Sequence, residues 1–172
     1  IIMSGITITP QRQENVDFSY PYFAAHQLIL TQKNVHVKSV ADLKGKNVAV
    51  VANSAGDIAA SKVFGKASKH IKRFDNTPLA LEELSAGGVD AAIGDVGVFA
   101  YYALQNPEKQ FNMARDPSFE DQYFGIAVRK GNTKVLNEIN EGLKKVIASG
   151  AYAKVYAKWF GEKAPVPVLP IK

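Results

Sequence analysis

The sequence contains no cysteine, which excludes disulfide bonds, thiol catalysis and zinc–thiolate sites. No apolar run approaches the roughly 18 residues that a membrane-spanning helix needs. No basic segment precedes Ile1-Ile2-Met3, so the pattern of a signal segment is not present in this chain. The 172 residues are 47% apolar and 22% charged. That composition is typical of an ordinary globular protein, with enough length for one domain or two small lobes.

The charge pattern does not favour nucleic acid as a partner. The net charge is +5, but the basic residues are scattered and no aromatic side chains are interleaved with them. We therefore expect a solvated basic surface. The only histidines are His26, His36 and His70, and they show no spacing typical of metal ligands. No metal site and no cofactor is expected.

Segments typical of strands alternate with segments typical of helices. The predicted strands are residues 1–8, 27–31, 47–51, 71–74, 89–93 and 123–129. The predicted helices are 57–68, one from Thr77 that ends at Gly87-Gly88, 96–105, 135–147 and 152–160, with a short helix at 39–45 and a Pro-rich tail at 162–172. We expect Ile58, Val63 and Phe64 on the inner side of helix 57–68. The alternation predicts an α/β fold with a largely parallel sheet.

Two predicted strand ends carry candidate ligand-binding residues. One is Asn53-Ser54-Ala55-Gly56 and the other is Gly94-Asp95. Ligands of α/β sheets bind outside the carboxyl ends of the strands. Both ends are therefore expected to face one crevice.

Ser54 admits two functional interpretations. The stretch ANSAG at 52–56 is one residue away from the G-x-S-x-G nucleophile elbow of serine hydrolases. That elbow needs a histidine that follows an acid, and no histidine follows Asp95 or any later acid. A carboxylate site built from the Ser54 hydroxyl and the N–H groups of Ala55 and Gly56 fits the small residues better. A turn of small residues without a ligand remains open.

Charges of both signs accompany this candidate site. Arg12 lies just beyond the first predicted strand, and arginine pairs bidentately with carboxylates. Asp95 can pair with an ammonium group. Together the two residues specify a zwitterion such as an α-amino acid. Arg12 as a plain surface residue and Asp95 as an N-cap remain alternatives.

Several stretches resemble one known family. They are SGITITPQRQENVDFSYPYF, SVADLKGKNVAVVANSAG, GVDAAIGD, QYFGIAVRKGN and LKKVIASGAYAKVYAKWFG. Together they resemble the periplasmic solute-binding proteins of family 3 type, which bind polar amino acids for ABC importers. The resemblance covers nearly the whole chain.

The resemblance implies a periplasmic-binding-protein-like α/β fold of two lobes, with mainly parallel sheets and helices on both faces. A complete lobe 2 would span 24–123, and an incomplete lobe 1 would comprise 1–23 and 124–172. Family members begin with a further strand–helix–strand–helix segment, which we expect to be missing here. A second chain or a separate N-terminal fragment would then complete lobe 1.

The resemblance also implies residue roles. The ligand-binding positions are Gly5, Thr7, Arg12, Ser54, Ala55, Gly56 and Asp95, and the hinge positions are Tyr22, Phe23, Gln122 and Tyr123. Arg12 would bind the α-carboxylate from lobe 1, the 54–56 loop would meet it from lobe 2, and Asp95 would hold the α-ammonium. Ala55 departs from the family pattern, because a hydroxyl residue is usual there.

The implied function is capture of a polar L-amino acid between the lobes and delivery to the membrane subunits of an ABC importer, without catalysis. The location would be the periplasm or a lipoprotein anchor at the cell surface. Two alternatives remain. One is a dehydratase on the same fold, of the prephenate or arogenate class, and the other is a sensory ligand-binding module detached from a receptor.

Overall fold

The computed structural model describes residues 1–160. The helices are α1 Pro10–Gln13, α2 Ala55–Phe64, α3 Thr77–Ser85, α4 Val96–Gln105, α5 Thr133–Ala148 and α6 Ala151–Phe160. The strands are β1 Val16–Phe18, β2 Phe23–Ala25, β3 Gln27–Thr31, β4 Val48–Val51, β5 Ile71–Phe74, β6 Ala91–Asp95, β7 Asn112–Ala114, β8 Gln122–Phe124 and β9 Ala127–Arg129. Short 3-10 helices lie at Val40–Leu43 and Pro107–Lys109. The predicted tail at 162–172 lies outside the described residues.

The chain folds into two compact units. The central unit comprises residues 26–120. The terminal unit combines residues 1–25 with the described chain from 121 to 160. The chain therefore passes between the units twice, at Ala25 to His26 and at Glu120 to Asp121.

The central unit is built on a five-stranded mixed sheet in the order β5-β4-β6-β3-β7. Strand β4 pairs in parallel with β5 and β6, whereas β3 pairs antiparallel with β6 and β7. All residues of β3 are buried. The α/β class is as predicted, and the antiparallel strand places Gln27, the start of β3, opposite Asp95, the end of β6.

Helices cover both faces of this sheet. Leu28 and Leu30 point to the face that α3 and α4 cover, where they pack in one cluster with Leu84 and Phe99. Ile29 points the other way and packs in a second cluster with residues of α2 and of the 3-10 helix at Val40–Leu43. Alternate residues of one buried strand thus serve two cores, which is why β3 is apolar throughout its middle.

Three sequence-based predictions in these elements are wrong. Residues 1–8 form no strand, but only isolated bridges at Ile2 and Thr7, because Gly5 leaves the extended conformation with φ +69°. Residues 123–129 form two strands instead of one, since β8 pairs with β2 while β9 pairs with β1.

The third error concerns the buried face of α2. Ile58 is 46% exposed and Val63 is 51% exposed. The buried residues of this helix are Ala55, Gly56, Asp57 and Ala60, and Phe64 is partly buried against the core. Small side chains let the helix approach the sheet closely, so the larger apolar residues were a misleading guide to its inner side.

The terminal unit contains the two antiparallel strand pairs and helices α5 and α6. Phe23 stacks on Phe124 with ring centroids 5.6 Å apart, and it also contacts Tyr156 and Phe160 of α6. Neither α5 nor α6 has a fully buried residue within the described part of the chain. None of the helices described in residues 1–160 combines the length and apolar character needed to cross a lipid bilayer.

Candidate ligand-binding site

A cavity of about 140 Å³ opens in the central unit where three helices begin. Its lining residues are Gln27, Val51, Ser54, Thr77, Ala80, Ile93, Gly94, Asp95 and Phe99. Strands β4, β5 and β6 run in parallel and are followed by α2, α3 and α4, so all three helix N-termini lie at the same edge of the sheet. Helix N-termini carry a partial positive charge and unpaired N–H groups, an arrangement that favours an anionic ligand group.

The loop before α2 has a defined geometry. Asn53 adopts the left-handed conformation with φ +59°, which asparagine tolerates better than most residues. Ser54 is the N-cap of α2, and its Oγ accepts the N–H of Asp57 at 3.2 Å. A hydroxyl that accepts one bond can still donate its proton. Ser54 is therefore a helix cap that remains able to bind a carboxylate.

Gly56 has a structural requirement that sequence reasoning did not identify. A Cβ at this position would collide with the carbonyl oxygen of Ile93 on β6, and it would lie 3.2 Å from Oε1 of Gln27. Glycine is needed here so that the first turn of α2 can pack on the end of β6. This packing brings Ser54, Ala55 and Gly56 to the edge of the sheet that also holds Asp95.

Asp57 is a buried carboxylate, and its role was also missed. Its oxygens accept the N–H of Asn53 at 3.1 Å, the Ser61 hydroxyl at 3.0 Å and the guanidinium of Arg73. Burial raises the pKa of this carboxyl, but the hydrogen bonds from Arg73, Asn53 and Ser61 outweigh that effect and hold the pKa below its ordinary value. Asp57 is therefore ionised at neutral pH and fixes the loop that carries Ser54.

Asp95 occupies the N-cap position of α4, but its side chain makes no capping hydrogen bond. Instead, Oδ1 accepts Nε2 of Gln27 at 3.0 Å. The carboxylate is thus oriented by a side chain on the neighbouring strand and lines the cavity. The N-cap position named as an alternative from the sequence is confirmed, and the ligand-binding role of Asp95 stays a prediction.

The predicted residues of the terminal unit form a separate group. Nη1 of Arg12 donates to the carbonyl oxygen of Thr7 at 2.9 Å, and Thr7 itself is only 4% exposed. Thr9 caps the short helix α1 by accepting the Arg12 N–H at 3.2 Å. Gly5 lies against the Phe124 ring, where a Cβ would be 3.5 Å from the nearest ring carbon. Gly5, Thr7 and Arg12 therefore lie within one local arrangement.

The predicted hinge residues lie in or beside the β2–β8 pair. Phe23 pairs with Phe124, Tyr123 with Ala24 and Gln122 with Ala25. The Tyr22 N–H donates to the Phe124 carbonyl at 2.9 Å. Burial raises the pKa of the Tyr22 hydroxyl, against a smaller opposite effect of a hydrogen bond with the Gly5 backbone. This pair is adjacent to both points where the chain passes between the units.

No metal site is evident in the described part of the chain. Within residues 1–160, no group of three or more His, Cys, Asp or Glu side chains is placed to hold a metal ion. The polar groups that line the central cavity include a carboxylate, a hydroxyl and an amide, which suit a zwitterionic ligand.

Comparison with known proteins identifies the relatives of this chain. Residues 1–162 match the family model described as bacterial extracellular solute-binding proteins, family 3. A probable histidine-binding protein of Neisseria gonorrhoeae is 43% identical over 95% of this chain and 61% of its own length. The chain therefore spans about three fifths of that relative.

Solved structures show the same fold. The arginine-, lysine-, histidine-binding protein ArtJ of Geobacillus stearothermophilus is 44% identical, with a TM-score of 0.88 over 96% of this chain and 70% of that one. An ancestral amino-acid-binding protein, described as a precursor of cyclohexadienyl dehydratase, is 38% identical with a TM-score of 0.82, over 92% of this chain and 67% of its own. These matches confirm the family and the fold class predicted from the sequence.

Proposed function

Because the chain belongs to the bacterial extracellular solute-binding proteins of family 3, we propose that it binds a polar L-amino acid and delivers it to the membrane subunits of an ABC importer. The ligand is released chemically unchanged. The proposed location is the periplasm, or the cell surface through a lipid anchor. The observation that carries the proposal is the central cavity, in which an oriented carboxylate, Asp95, lies beside a helix start capped by Ser54.

The two ends of this cavity suit the two charges of an amino acid. Asp95 offers a carboxylate oxygen to an ammonium group, and this interaction gains strength in a site with little water. The start of α2 offers the Ser54 hydroxyl and the N–H groups of Ala55 and Gly56 to a carboxylate. In the terminal unit, Thr9 caps the helix that contains Arg12, and the Arg12 guanidinium donates to the Thr7 carbonyl. These two contacts define the position of the guanidinium. We propose Arg12 as a further carboxylate-binding group, with Gly5 and Thr7 beside it.

The hinge role of Tyr22, Phe23, Gln122 and Tyr123 belongs to the same proposal. It is supported by their place in the β2–β8 pair, next to the two crossings of the chain. Backbone torsion changes over a few such residues are the usual means of hinge motion, and periplasmic binding proteins are themselves a standard example of it.

Calorimetric titration with a panel of amino acids tests the proposed function. The panel contains L-histidine, L-arginine, L-lysine and L-glutamine, with L-leucine and D-histidine as controls. We expect saturable binding of at least one polar L-amino acid and no binding of L-leucine. Native mass spectrometry of gently purified protein gives a second readout, because a retained ligand adds its mass to the chain. Absence of binding to all members of the panel contradicts the proposal.

A dehydratase is the second candidate, because the ancestral relative described above is a precursor of such an enzyme. Asp95 is the carboxylic acid that lines the central cavity, so it would have to serve as the general acid. Incubation with prephenate or arogenate, followed by detection of the aromatic product, distinguishes the two functions. We expect no product above the uncatalysed background, and a rate that Asp95→Asn abolishes would establish the enzyme instead.

We also propose that further polypeptide, from a second chain or an N-terminal fragment, covers an apolar surface of the terminal unit. The support is a set of large apolar side chains that are about half exposed or more, namely Ile1, Ile2, Met3, Val146, Val155 and Trp159. Contiguous exposed apolar surface beyond a few hundred Å² is unusual on a monomer and marks an interaction surface.

A further inference from the structure

Gln27 lines the central cavity together with Asp95 and Ser54. It begins β3, is only 2% exposed, and stands directly opposite Asp95 in the antiparallel register. Its Nε2 donates to Oδ1 of Asp95 at 3.0 Å. Its Oε1 lies 3.2 Å from the position that a Cβ at Gly56 would occupy. One buried amide therefore contacts the carboxylate and faces the first turn of α2.

Burial of a glutamine at the start of β3 needs a reason, because the middle of this strand supplies apolar side chains to both cores. Residues 28–30 of β3, Leu-Ile-Leu, pack into the two cores, and an apolar residue at position 27 would extend them without desolvating an amide. Burying a polar group costs free energy that hydrogen bonds must offset. The hydrogen bond to Asp95 is a charge-assisted one, which is stronger than a bond between neutral groups. The position of Gln27 is thus explained by Asp95 more than by core packing.

We propose that Gln27 is a positioning residue, which orients the Asp95 carboxylate for the α-ammonium group of the ligand. This inference rests on the proposed amino-acid-binding function and deepens it. A carboxylate rotates about its terminal torsion, whose preferences are broad. The bond from Gln27 holds Oδ1 and thereby directs the second oxygen.

The matched pair of variants is Gln27→Met and Gln32→Met. Methionine has nearly the shape of glutamine but cannot donate. Gln32 lies one residue beyond the far end of β3, about 16 Å away by strand geometry, and its Nε2 donates to the Leu84 carbonyl at 2.8 Å. Both substitutions therefore remove one amide hydrogen bond from the central unit. Only the first removes the contact with Asp95.

The probes are two pairs of compounds that differ only in the α-ammonium group. They are L-histidine with 3-(imidazol-4-yl)propanoate, and L-arginine with 5-guanidinopentanoate. We expect Gln27→Met to weaken binding of the amino acid about 10- to 100-fold, as for loss of one hydrogen bond to a charged group, and to leave the affinity of the deamino compound unchanged. Gln32→Met should leave both affinities unchanged. The titrations are followed by NMR, because this method can measure the weak affinities expected of the deamino compounds.

A general structural effect of Gln27→Met would weaken both members of a pair equally, and that result overturns the assignment, as does an unchanged affinity for both. If the wild-type chain binds none of the four polar L-amino acids of the calorimetric panel, the proposed function itself fails and the role of Gln27 falls with it. If it binds only L-lysine or L-glutamine, the same comparison is made with 6-aminohexanoate or with 4-carbamoylbutanoate as the deamino compound. If the wild-type chain binds normally and only the variant behaves otherwise than expected, the proposed function stands and the role of Gln27 alone is rejected.

A second measurement needs neither ligand nor a folded Gln27 variant. Asp95→Asn should shift the side-chain amide resonances of Gln27, since the charge that accepts its proton is removed. Asp90→Asn is the control, because Asp90 accepts the backbone N–H of Asn47 elsewhere in the same unit. Gln27 resonances that respond no more to Asp95→Asn than to Asp90→Asn contradict the contact on which the proposal depends.

Discussion

Arg73 of β5 holds the carboxylate of Asp57 in the first turn of α2. Nε lies 3.1 Å and 3.0 Å from the two carboxylate oxygens, and Nη2 lies 2.9 Å from Oδ1. The same carboxylate accepts the N–H of Asn53, so the ion pair extends from a neighbouring strand to the loop before Ser54. The conformation of the loop proposed to bind the ligand thus depends on an ion pair outside the cavity.

This ion pair predicts a dependence of stability on pH. The pKa of Asp57 is lowered on folding, so its ionised form stabilises the protein at any pH above the ordinary aspartate pKa of 3.8. That contribution disappears as the pH falls through the lower pKa of the folded state. We expect Asp57→Asn to reduce the free energy of unfolding by about 1–2 kcal/mol at pH 7, a value discounted because the Arg73 side chain is 31% exposed.

Chemical denaturation at pH values from 7 down to 2 measures this effect. The difference between wild type and Asp57→Asn should stay constant above about pH 4 and shrink below it, as the Asp57 carboxylate of the folded state takes up a proton. Asp75→Asn is the control, since Asp75 is an exposed carboxylate in the same unit. A stability difference that stays constant over the whole range would contradict the contribution of the Asp57 charge.

The two charges proposed to hold the ligand predict large losses of affinity. Truncation of Arg12 or Asp95 to alanine should weaken amino-acid binding by about 2–5 kcal/mol, because the ligand charge would lose its desolvated partner. Arg129→Ala is the control for Arg12, since Arg129 is an exposed arginine of the same unit. Calorimetric titration gives the comparison. Unchanged affinity in both Arg12→Ala and Asp95→Ala would refute the assignment of the site.

Substitution of Ser54 by alanine is predicted to have two separable effects, one on stability and one on binding. Ser54→Ala removes the N-cap of α2 and should lower the free energy of unfolding by about 1 kcal/mol. It should also weaken binding by about 1.5–3 kcal/mol through loss of a hydrogen bond to the ligand carboxylate. Asn132→Ala removes the N-cap of α5 and should affect stability alone. Calorimetry and thermal unfolding distinguish the two effects, and covalent labelling of Ser54 by a fluorophosphonate would instead support the hydrolase interpretation.

Substitution of Tyr152 by phenylalanine is predicted to increase the stability of the protein. Among the described residues, its buried hydroxyl has no hydrogen-bond partner, and burial raises its pKa to about 12. Tyr152→Phe removes a polar group that is desolvated without compensation, so the free energy of unfolding should rise by about 1 kcal/mol. Tyr101→Phe, at a tyrosine that is 42% exposed, is the control. Denaturation curves that place Tyr152→Phe below wild type would show that the hydroxyl is satisfied.

Spectrophotometric titration of the tyrosines checks the same environment. The phenol that titrates last, near pH 12, should be absent in Tyr152→Phe and present in Tyr101→Phe. Ionisation of all the tyrosines close to the ordinary value of 10 would contradict burial of Tyr152.

The fluorescence of Trp159 reports whether the apolar surface of the terminal unit is covered. Trp159 is the only tryptophan and is 52% exposed in the chain by itself. If further polypeptide covers this surface, the fluorescence of Trp159 should be blue-shifted and protected from quenching by acrylamide. Sedimentation should then show a dimer or a complex. A monomer with a freely quenched tryptophan would refute the proposed cover.

Some elements were predictable because they depend on local sequence. The helices at 96–105 and 152–160 follow from apolar periodicity and from residues that stop a helix, and the structure contains both. The strand Val48–Val51 was predictable because it is short and apolar and is followed by turn residues. The strand at 1–8 failed because it depends on pairing partners distant in the chain, Ala127 and Phe124, and on the positive φ of Gly5.

The sequence by itself determined which residues are candidates for the site, because strand ends, helix starts and unusual charges are visible in one dimension. Ser54, Asp95 and Arg12 are all of this kind. Only the tertiary structure decided what orients them. Gln27 meets Asp95 across 68 positions of the chain, and Arg73 meets Asp57 across 16, through strand register and through the packing of a helix on the sheet. The residues adjacent to Gln27 or Arg73 in the sequence do not indicate these contacts, because the antiparallel pairing of β3 with β6 depends on the whole folded unit.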